Sequence, residues 1–204
     1  LIAALAALNW NLLVSPTLMS VGFMQVTAPF GLIMLGLTAL LGIFFVAYAF
    51  ARAHNVELFN ESQQHLNRTS GAINTLVLIT SSYFVVRSVA AIQRGYSSAC
   101  ARWLAAAIGL GGVFLAIKLV EYDAVFSAGI SLSTNTFYMF YLSLTLFHFM
   151  HVILGMVILF AVMLKAQRGG YSAAEHRGVE TGASYWHMVD LLWIILFPLV
   201  YVIR

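Results

Sequence analysis

Five long apolar stretches run through the chain, at 29–50, 70–92, 103–122, 137–165 and 183–203, and the polar residues gather in the intervals between them. Each stretch matches the ~20 residues that a helix needs to cross the hydrocarbon of a bilayer. Apolar residues follow one another in them without alternation. A segment surrounded by lipid must satisfy its backbone internally, so the pattern predicts helices. The fold class expected is therefore all-α: an integral membrane helical bundle with five transmembrane helices, forming a single transmembrane domain over residues 1–204. The amino-terminal segment reads differently. Residues 1–8 are apolar, but Asn9, Asn11, Ser15 and Pro16 interrupt the run before it reaches spanning length. Residues 1–24 are expected as an interfacial or partly inserted helix, with a complete extra span as the alternative.

The first span carries no charge, and Arg52 and His54 mark its exit into a polar interval, 51–69, that is helical in part. The second contains Asn74, Thr75, Thr80, Ser81 and Ser82. Hydroxyls and amides in a spanning helix bond to a neighbouring helix or to their own carbonyls, so this is a packed helix. Arg87 near its end is expected to snorkel towards Arg94 and the headgroups. The third opens with Ile108-Gly109-Leu110-Gly111-Gly112, which allows close helix approach, and closes with Lys118, Glu121 and Tyr122. The fourth is long enough to tilt. In the fifth, Pro198 is expected to kink the helix.

Composition narrows the function classes. With 62% hydrophobic and 8% charged residues, 204 residues leave no room for a soluble catalytic domain beside the spans. Ten Lys and Arg against seven acids give a formal charge of +3, but no basic patch for nucleic acid. Arg87, Arg94, Arg102, Lys165, Arg168 and Arg177 fall at one set of span ends, and Arg52, Arg68, Lys118 and Arg204 at the other. Six against four puts the 93–102 and 166–182 intervals in the cytoplasm and the carboxyl terminus outside. Cys100 is the single cysteine, so no internal disulfide and no cysteine cluster can form.

The candidate chemistry lies in the last three spans. His187 and Asp190, three apart, share a helix face between Trp186 and Trp193. His148 and His151 share a face of the fourth span, with Gly155 on the same stripe, and Glu121 ends the third. An ionisable group inside a membrane faces protein or a water-filled path and is a functional-site hypothesis. Three readings follow. Imidazoles from two helices could ligate a haem or a metal, although His-x-x-His alone is a thin signal and the paired Glu-x-x-His motifs of di-metal bundles are absent. Acids and imidazoles could form a proton or ion path, against which the first two spans offer no acid. Or Glu121, His148, His151, His187 and Asp190 form an internal polar network that sets helix register, with Tyr185, Trp186, Trp193 and Gly155 in helix packing or lipid contact. Residue by residue, the third is favoured.

Several motifs resemble one family. Thr145-Leu146-Phe147-His148-Phe149-Met150-His151-Val152-Ile153-Leu154-Gly155 resembles the T-G-F-H-G-x-H-V-x-x-G signature of subunit III of haem-copper oxidases. Glu180, Tyr185, Trp186, His187, Val189, Asp190 and Trp193 match its E-x-x-x-x-Y-W-H-F-V-D-x-x-W. Glu121-Tyr122 with Phe126 is similar to its E-Y-x-x-x-F, and Asn74-Thr75 with Ser81-Ser82 to its N-T-x-x-L-x-x-S-S. There are departures. The buried glutamate usual in the first of these spans falls near Leu37, and Leu146 and Phe149 replace two glycines. Five spans and the ending Trp193 to Leu199 look like the short branch associated with nitric oxide reductases.

The resemblance implies a non-catalytic subunit of a terminal oxidase or of a related nitric oxide reductase, with no haem or metal of its own. It implies a multi-pass protein of the bacterial inner membrane that binds catalytic subunit I, with subunit II as a further partner. Haem and copper or iron would lie in the partner, and the chain would hold phospholipid and sustain proton uptake and stability. The alternative from the residues alone is a stand-alone haem- or metal-binding membrane enzyme.

Overall fold

The computed structural model describes residues 16–21 and 24–203, with side chains described continuously from 42 to 203. The chain divides into two units, Leu1–Phe50 and Ala51–Arg204. In the first, β1 (Pro16–Val21) pairs antiparallel with β2 (Met24–Pro29), Pro16 opposite Pro29 and Val21 opposite Met24. This corrects the helix expected over 1–24 at residues 16–21 and 24; residues 1–15 and 22–23 lie outside those described. The local reason is composition. Thr17, Val21, Val26 and Thr27 are β-branched, and the two prolines sit at the hairpin ends, where a strand tolerates a missing N–H. Helix α1 (Phe30–His54) follows over the first expected span, with Arg52 and His54 in its last turn, where cations suit the carbonyl end.

The second unit contains α2 (Val56–Gln64), α3 (Arg68–Gln93), α4 (Ser97–Ser127), α5 (Thr136–Gln167) and α6 (Arg177–Phe197), closed by a π turn, Pro198–Val202. Among the described residues four helices are long and apolar enough to cross a membrane: Arg68–Gln93, Ser97–Ser127, Thr136–Gln167 and Arg177–Val202. Each packs against two of the others, in the ring α3, α4, α5, α6 and back to α3. Their ends are set by identifiable residues. Asn67 and Asn135 cap α3 and α5 by accepting the Ser70 and Tyr138 N–H groups at 3.1 and 2.9 Å. Gly95, at φ +81°, ends α3, and the Tyr96 N–H turns back to the Ala91 carbonyl at 3.0 Å. The expected 93–102 loop thereby shrinks to 94–96.

Because these helices are apolar on nearly every side, amphipathicity does not choose their inward faces; small and polar residues do. Trp186 is the clearest case. Its indole is buried between α4 and α5 against two glycines, so that a Cβ at Gly111 or at Gly155 would come within 2.9 Å of the ring. Gly109 and Gly112 of the glycine-rich stretch face open space. Hydroxyls of α3 do the rest: Ser81 donates to the Ala107 carbonyl at 2.9 Å, and Thr75 accepts from the Trp193 indole at 3.0 Å. The outward positions, among them Leu76, Ile79, Val113, Met150, Val157 and Leu191, remain apolar and exposed.

Pro198 does not merely kink the last helix. It ends α6, since it has no N–H for the carbonyl four residues back, and the chain widens into the π turn, whose Ile203 N–H reaches the Pro198 carbonyl at 2.9 Å. The turn is held from α2, where Gln63 donates to the Val200 carbonyl at 2.9 Å. Gly71 leaves room for the rings of Phe197 and Tyr201.

The Trp186 wedge generates a direct expectation. Gly155→Ala should destabilise the protein by ~1–3 kcal/mol through overpacking, read as a lower thermal midpoint in mild detergent, whereas Gly112→Ala should leave the midpoint unchanged.

Candidate functional site

The centre of the bundle is a buried ion pair. Lys118 and Glu121 stand one turn apart on α4, and their side chains are 0% and 6% exposed, with Nζ and Oε2 at 3.2 Å. Lys118 Nζ also donates to the Tyr201 hydroxyl at 2.9 Å, and Tyr141 donates to Glu121 Oε1 at 2.6 Å. The Tyr201 hydroxyl makes a further, short bond to the same carboxylate oxygen. The π turn therefore places one phenol between the ammonium it accepts from and the carboxylate it donates to. Rings of Tyr122, Tyr141, Trp193 and Tyr201 surround Nζ, with centroids at 5.0 to 5.6 Å. A desolvated cation gains most from such faces.

The charge count takes Lys118 as a cation at the end of the third span, on the outer side. It lies inside instead, because Glu121 one turn on and two phenols from other elements offer it partners that lipid cannot. Removing it from the outer set leaves Arg52, Arg68 and Arg204, so the charge bias becomes six against three and keeps its direction. Arg87 also has ring partners, with its guanidinium 5.2 Å from the Trp103 ring and 6.0 Å from that of Tyr83.

His148 adjoins the ion pair through Trp193. Its ring lies 5.0 Å from the Trp193 ring and 5.6 Å from that of Phe114, and neither nitrogen has a hydrogen-bond partner among the described residues. Asn74, fully buried next to the Thr75 that holds the Trp193 indole, has an equally unmatched amide. His187 belongs to a second cluster, between α3 and α6, where its Nδ1 meets the Ser82 hydroxyl at 2.5 Å. Ser82 also borders Asp190, which is buried, with neither carboxylate oxygen hydrogen-bonded within the described chain.

His151 stands apart from both clusters. Its Nδ1 is 2.6 Å from the Phe147 carbonyl of its own helix, at the edge of the bundle. Three residues on a helix span about 300°, so His148 and His151 point some 60° apart, and the boundary of the interior falls between them. Tyr185, Trp186 and Trp193 are all buried, in helix packing. No three His, Cys, Asp or Glu side chains converge among the described residues. What the arrangement does is tie elements together in two sets, α4 with α5 and the π turn, and α3 with α6. Lys118 and Glu121 supply charge, Tyr141 and Tyr201 join α5 and the π turn to them, and Ser82 joins α3 to His187.

Sequence reasoning missed Lys118, Tyr141 and Tyr201. The i, i+3 spacing of Lys118 and Glu121 was available as a signal for an internal pair. Nothing local distinguishes the two tyrosines from the other seven in the chain.

Truncating one member of the pair strands the other. Glu121→Leu alone and Lys118→Met alone should each destabilise by ~3–5 kcal/mol, and the double variant by much less than their sum. Unfolding midpoints of the four proteins in the same detergent test this; additive losses would show that the two charges do not interact.

Known proteins align with the region just described. A model of the family described as cytochrome c oxidase subunit III matches residues 40–203. The "Cytochrome c oxidase subunit 3" of Synechocystis sp. is 34% identical over 160 residues, covering 78% of this chain and 67% of that protein. That of Thermostichus vulcanus is 36% identical over 132 residues, 64% of either chain. That of Corynebacterium diphtheriae is 29% identical over 162 residues, 78% of this chain and 79% of the relative. The chain thus spans about two thirds of the length of the first two relatives. The family model takes in the ion pair, both polar clusters and the Trp186 wedge, and the chain belongs to the cytochrome c oxidase subunit III family.

Proposed function

We propose that this chain is the non-catalytic subunit III of a haem-copper terminal oxidase in a bacterial inner membrane, with α1 as a fifth span in a single transmembrane domain. The observation that carries the reading is the direction of its polar side chains. Lys118, Glu121, His148, Asn74 and Asp190 are turned into the bundle, while the outward positions of α3 to α6 are apolar. A chain built in this way presents lipid and a membrane-embedded partner with a surface of packing groups. Its ionisable groups serve register and rigidity.

In this role the haem and metal lie in the catalytic subunit, subunit I, and subunit II completes the core. The chain contributes a rigid wall, lipid contact and long-lived turnover. The glutamate usual in the family at the position near Leu37 is absent, so support of proton uptake rests on the surface this chain covers and not on an acid of its first span.

Isolation of the chain from native membranes in mild detergent tests the assignment. A many-span, haem-bearing subunit should come with it, identified by mass spectrometry and by a Soret band that tracks that subunit across fractions. A chain that emerges alone and coloured carries its own haem and overturns the proposal.

A further inference from the structure

Four oxidisable rings stand in line inside the bundle. Trp193 of α6 meets Tyr201 of the π turn with ring centroids 6.4 Å apart, Tyr201 meets Tyr141 of α5 at 6.1 Å, and Tyr141 meets Tyr138 one turn earlier at 6.4 Å. All four are buried. Indole and phenol rings give up one electron far more readily than the phenylalanine rings packed against this line, Phe114, Phe137 and Phe197. The outer end of the line is open to small molecules, because Tyr138 lines a cavity bounded by α2, the start of α3 and the end of α4.

The phenol hydroxyls steady the ion pair, and they also have somewhere to send a proton. Removing an electron from a phenol makes its O–H a strong acid, and in an apolar interior neither the phenol cation nor a freed proton has solvent to stabilise it. Here the acceptor is already in place. Tyr141 donates to Glu121 Oε1 at 2.6 Å, and Tyr201 donates to the same oxygen through a short bond, both within the reach that proton transfer requires. Lys118 Nζ, 2.9 Å from the Tyr201 hydroxyl, can keep donating to that oxygen after its proton has left. Four ring faces hold the ammonium once the carboxylate is neutralised. Tyr122 supplies the contrast: it is buried beside the same ammonium, but its hydroxyl makes no bond to Glu121.

We propose that Tyr141, Tyr201 and Glu121 form a site of proton-coupled one-electron oxidation, with Trp193 as the relay into it and Tyr138 as the relay out. An oxygen-derived one-electron oxidant draws an electron through Trp193 and is reduced by one. One phenol O–H bond breaks, its proton passes to Glu121 Oε1, and a neutral phenoxyl radical is left beside a neutral carboxylic acid. A one-electron donor of the enediol or hydroquinone class, reaching Tyr138 at the cavity, returns the electron, and the proton goes back from Glu121 to the phenol oxygen. The cycle consumes one oxidant and one donor and leaves the chain unchanged. Its use, disposal of stray oxidising equivalents in an oxygen-reducing complex, rests on the reading of the chain as an oxidase subunit; the site itself does not.

The test uses the full-length chain in mild detergent, with Tyr83→Phe and Tyr96→Phe removing two exposed phenols. The protein is illuminated with ruthenium tris-bipyridine and persulfate, frozen, and read by electron paramagnetic resonance. A phenoxyl signal is expected that narrows when the tyrosines are ring-deuterated. Tyr141→Phe combined with Tyr201→Phe should lower its yield about tenfold, and Tyr122→Phe should leave it unchanged. Lys118→Met combined with Glu121→Gln strands no charge, keeps both phenols and removes the proton acceptor; it too should lower the yield about tenfold. Tyr138→Phe should slow reduction of the trapped radical by ascorbate about tenfold. Absence of the signal, full yield in either double variant, or a loss confined to variants whose thermal midpoint has collapsed would each overturn the site, and unchanged ascorbate reduction in Tyr138→Phe would overturn the outer relay. Failure of a haem subunit to co-purify would count against the assignment of subunit III and would not touch this result on the chain alone.

Discussion

Lysine and glutamate side chains placed inside a bundle that itself stands in hydrocarbon cost several kcal/mol each to desolvate, and the structure answers that cost at one point. Glu121 reaches Lys118 at 3.2 Å, phenols from α5 and from the π turn bond to the pair, and ring faces close around the ammonium. Other features follow from this demand. Tyr201 can arrive only if α6 gives way to a turn that brings the end of the chain back inward, and Pro198 provides the break. The Tyr201 and Phe197 rings can pass α3 only at Gly71, and the turn is steadied by Gln63 from α2. A charge placed deep on α4 thereby decides how the carboxyl-terminal segment is seated.

The remaining cohesion comes from shape. With no hydrophobic drive between helices in lipid, close contact depends on small residues opposite large ones. Gly111 and Gly155 receive the Trp186 indole, and the polar contacts Ser81 to Ala107, Thr75 to Trp193 and Ser82 to His187 fix how α3 lies on α4 and α6. The two glycines that the resemblance would place at 146 and 149 are Leu146 and Phe149, and close approach at α5 is met at Gly155 instead. Such an interior is close-packed, with part of its polar groups paired and with His148, Asn74 and Asp190 left without hydrogen bonds among the described residues.

Resemblance and geometry bear on different parts of this account. The motifs around Glu121, His148 and His187 indicated the family before any contact was visible, and the family model covers the same residues. The motifs did not indicate what those residues touch. His148 and His151 belong to one motif, yet one lies between Phe114 and Trp193 while the other bonds to its own helix. Lys118, one turn before a motif residue, is the buried cation of the bundle.

Length and continuity of apolar runs determined by themselves that α3 to α6 are helices of spanning length, because lipid leaves the backbone no other partner than itself. The same runs could not say which side of each helix faces inward, since apolar residues occupy nearly all sides. That was decided by tertiary packing, through the room at Gly111 and Gly155 and the hydroxyls of α3. The hairpin over Pro16–Pro29 shows the opposite limit, a segment too short and too interrupted for the spanning rule, where β-branched residues and end prolines prevailed. Lys118 shows a third. Sequence places it near the end of an apolar run, where a cation normally reaches for water; Glu121 one turn on is its local partner, and only the arrival of Tyr141 and Tyr201 from elsewhere in the chain makes the interior the better environment.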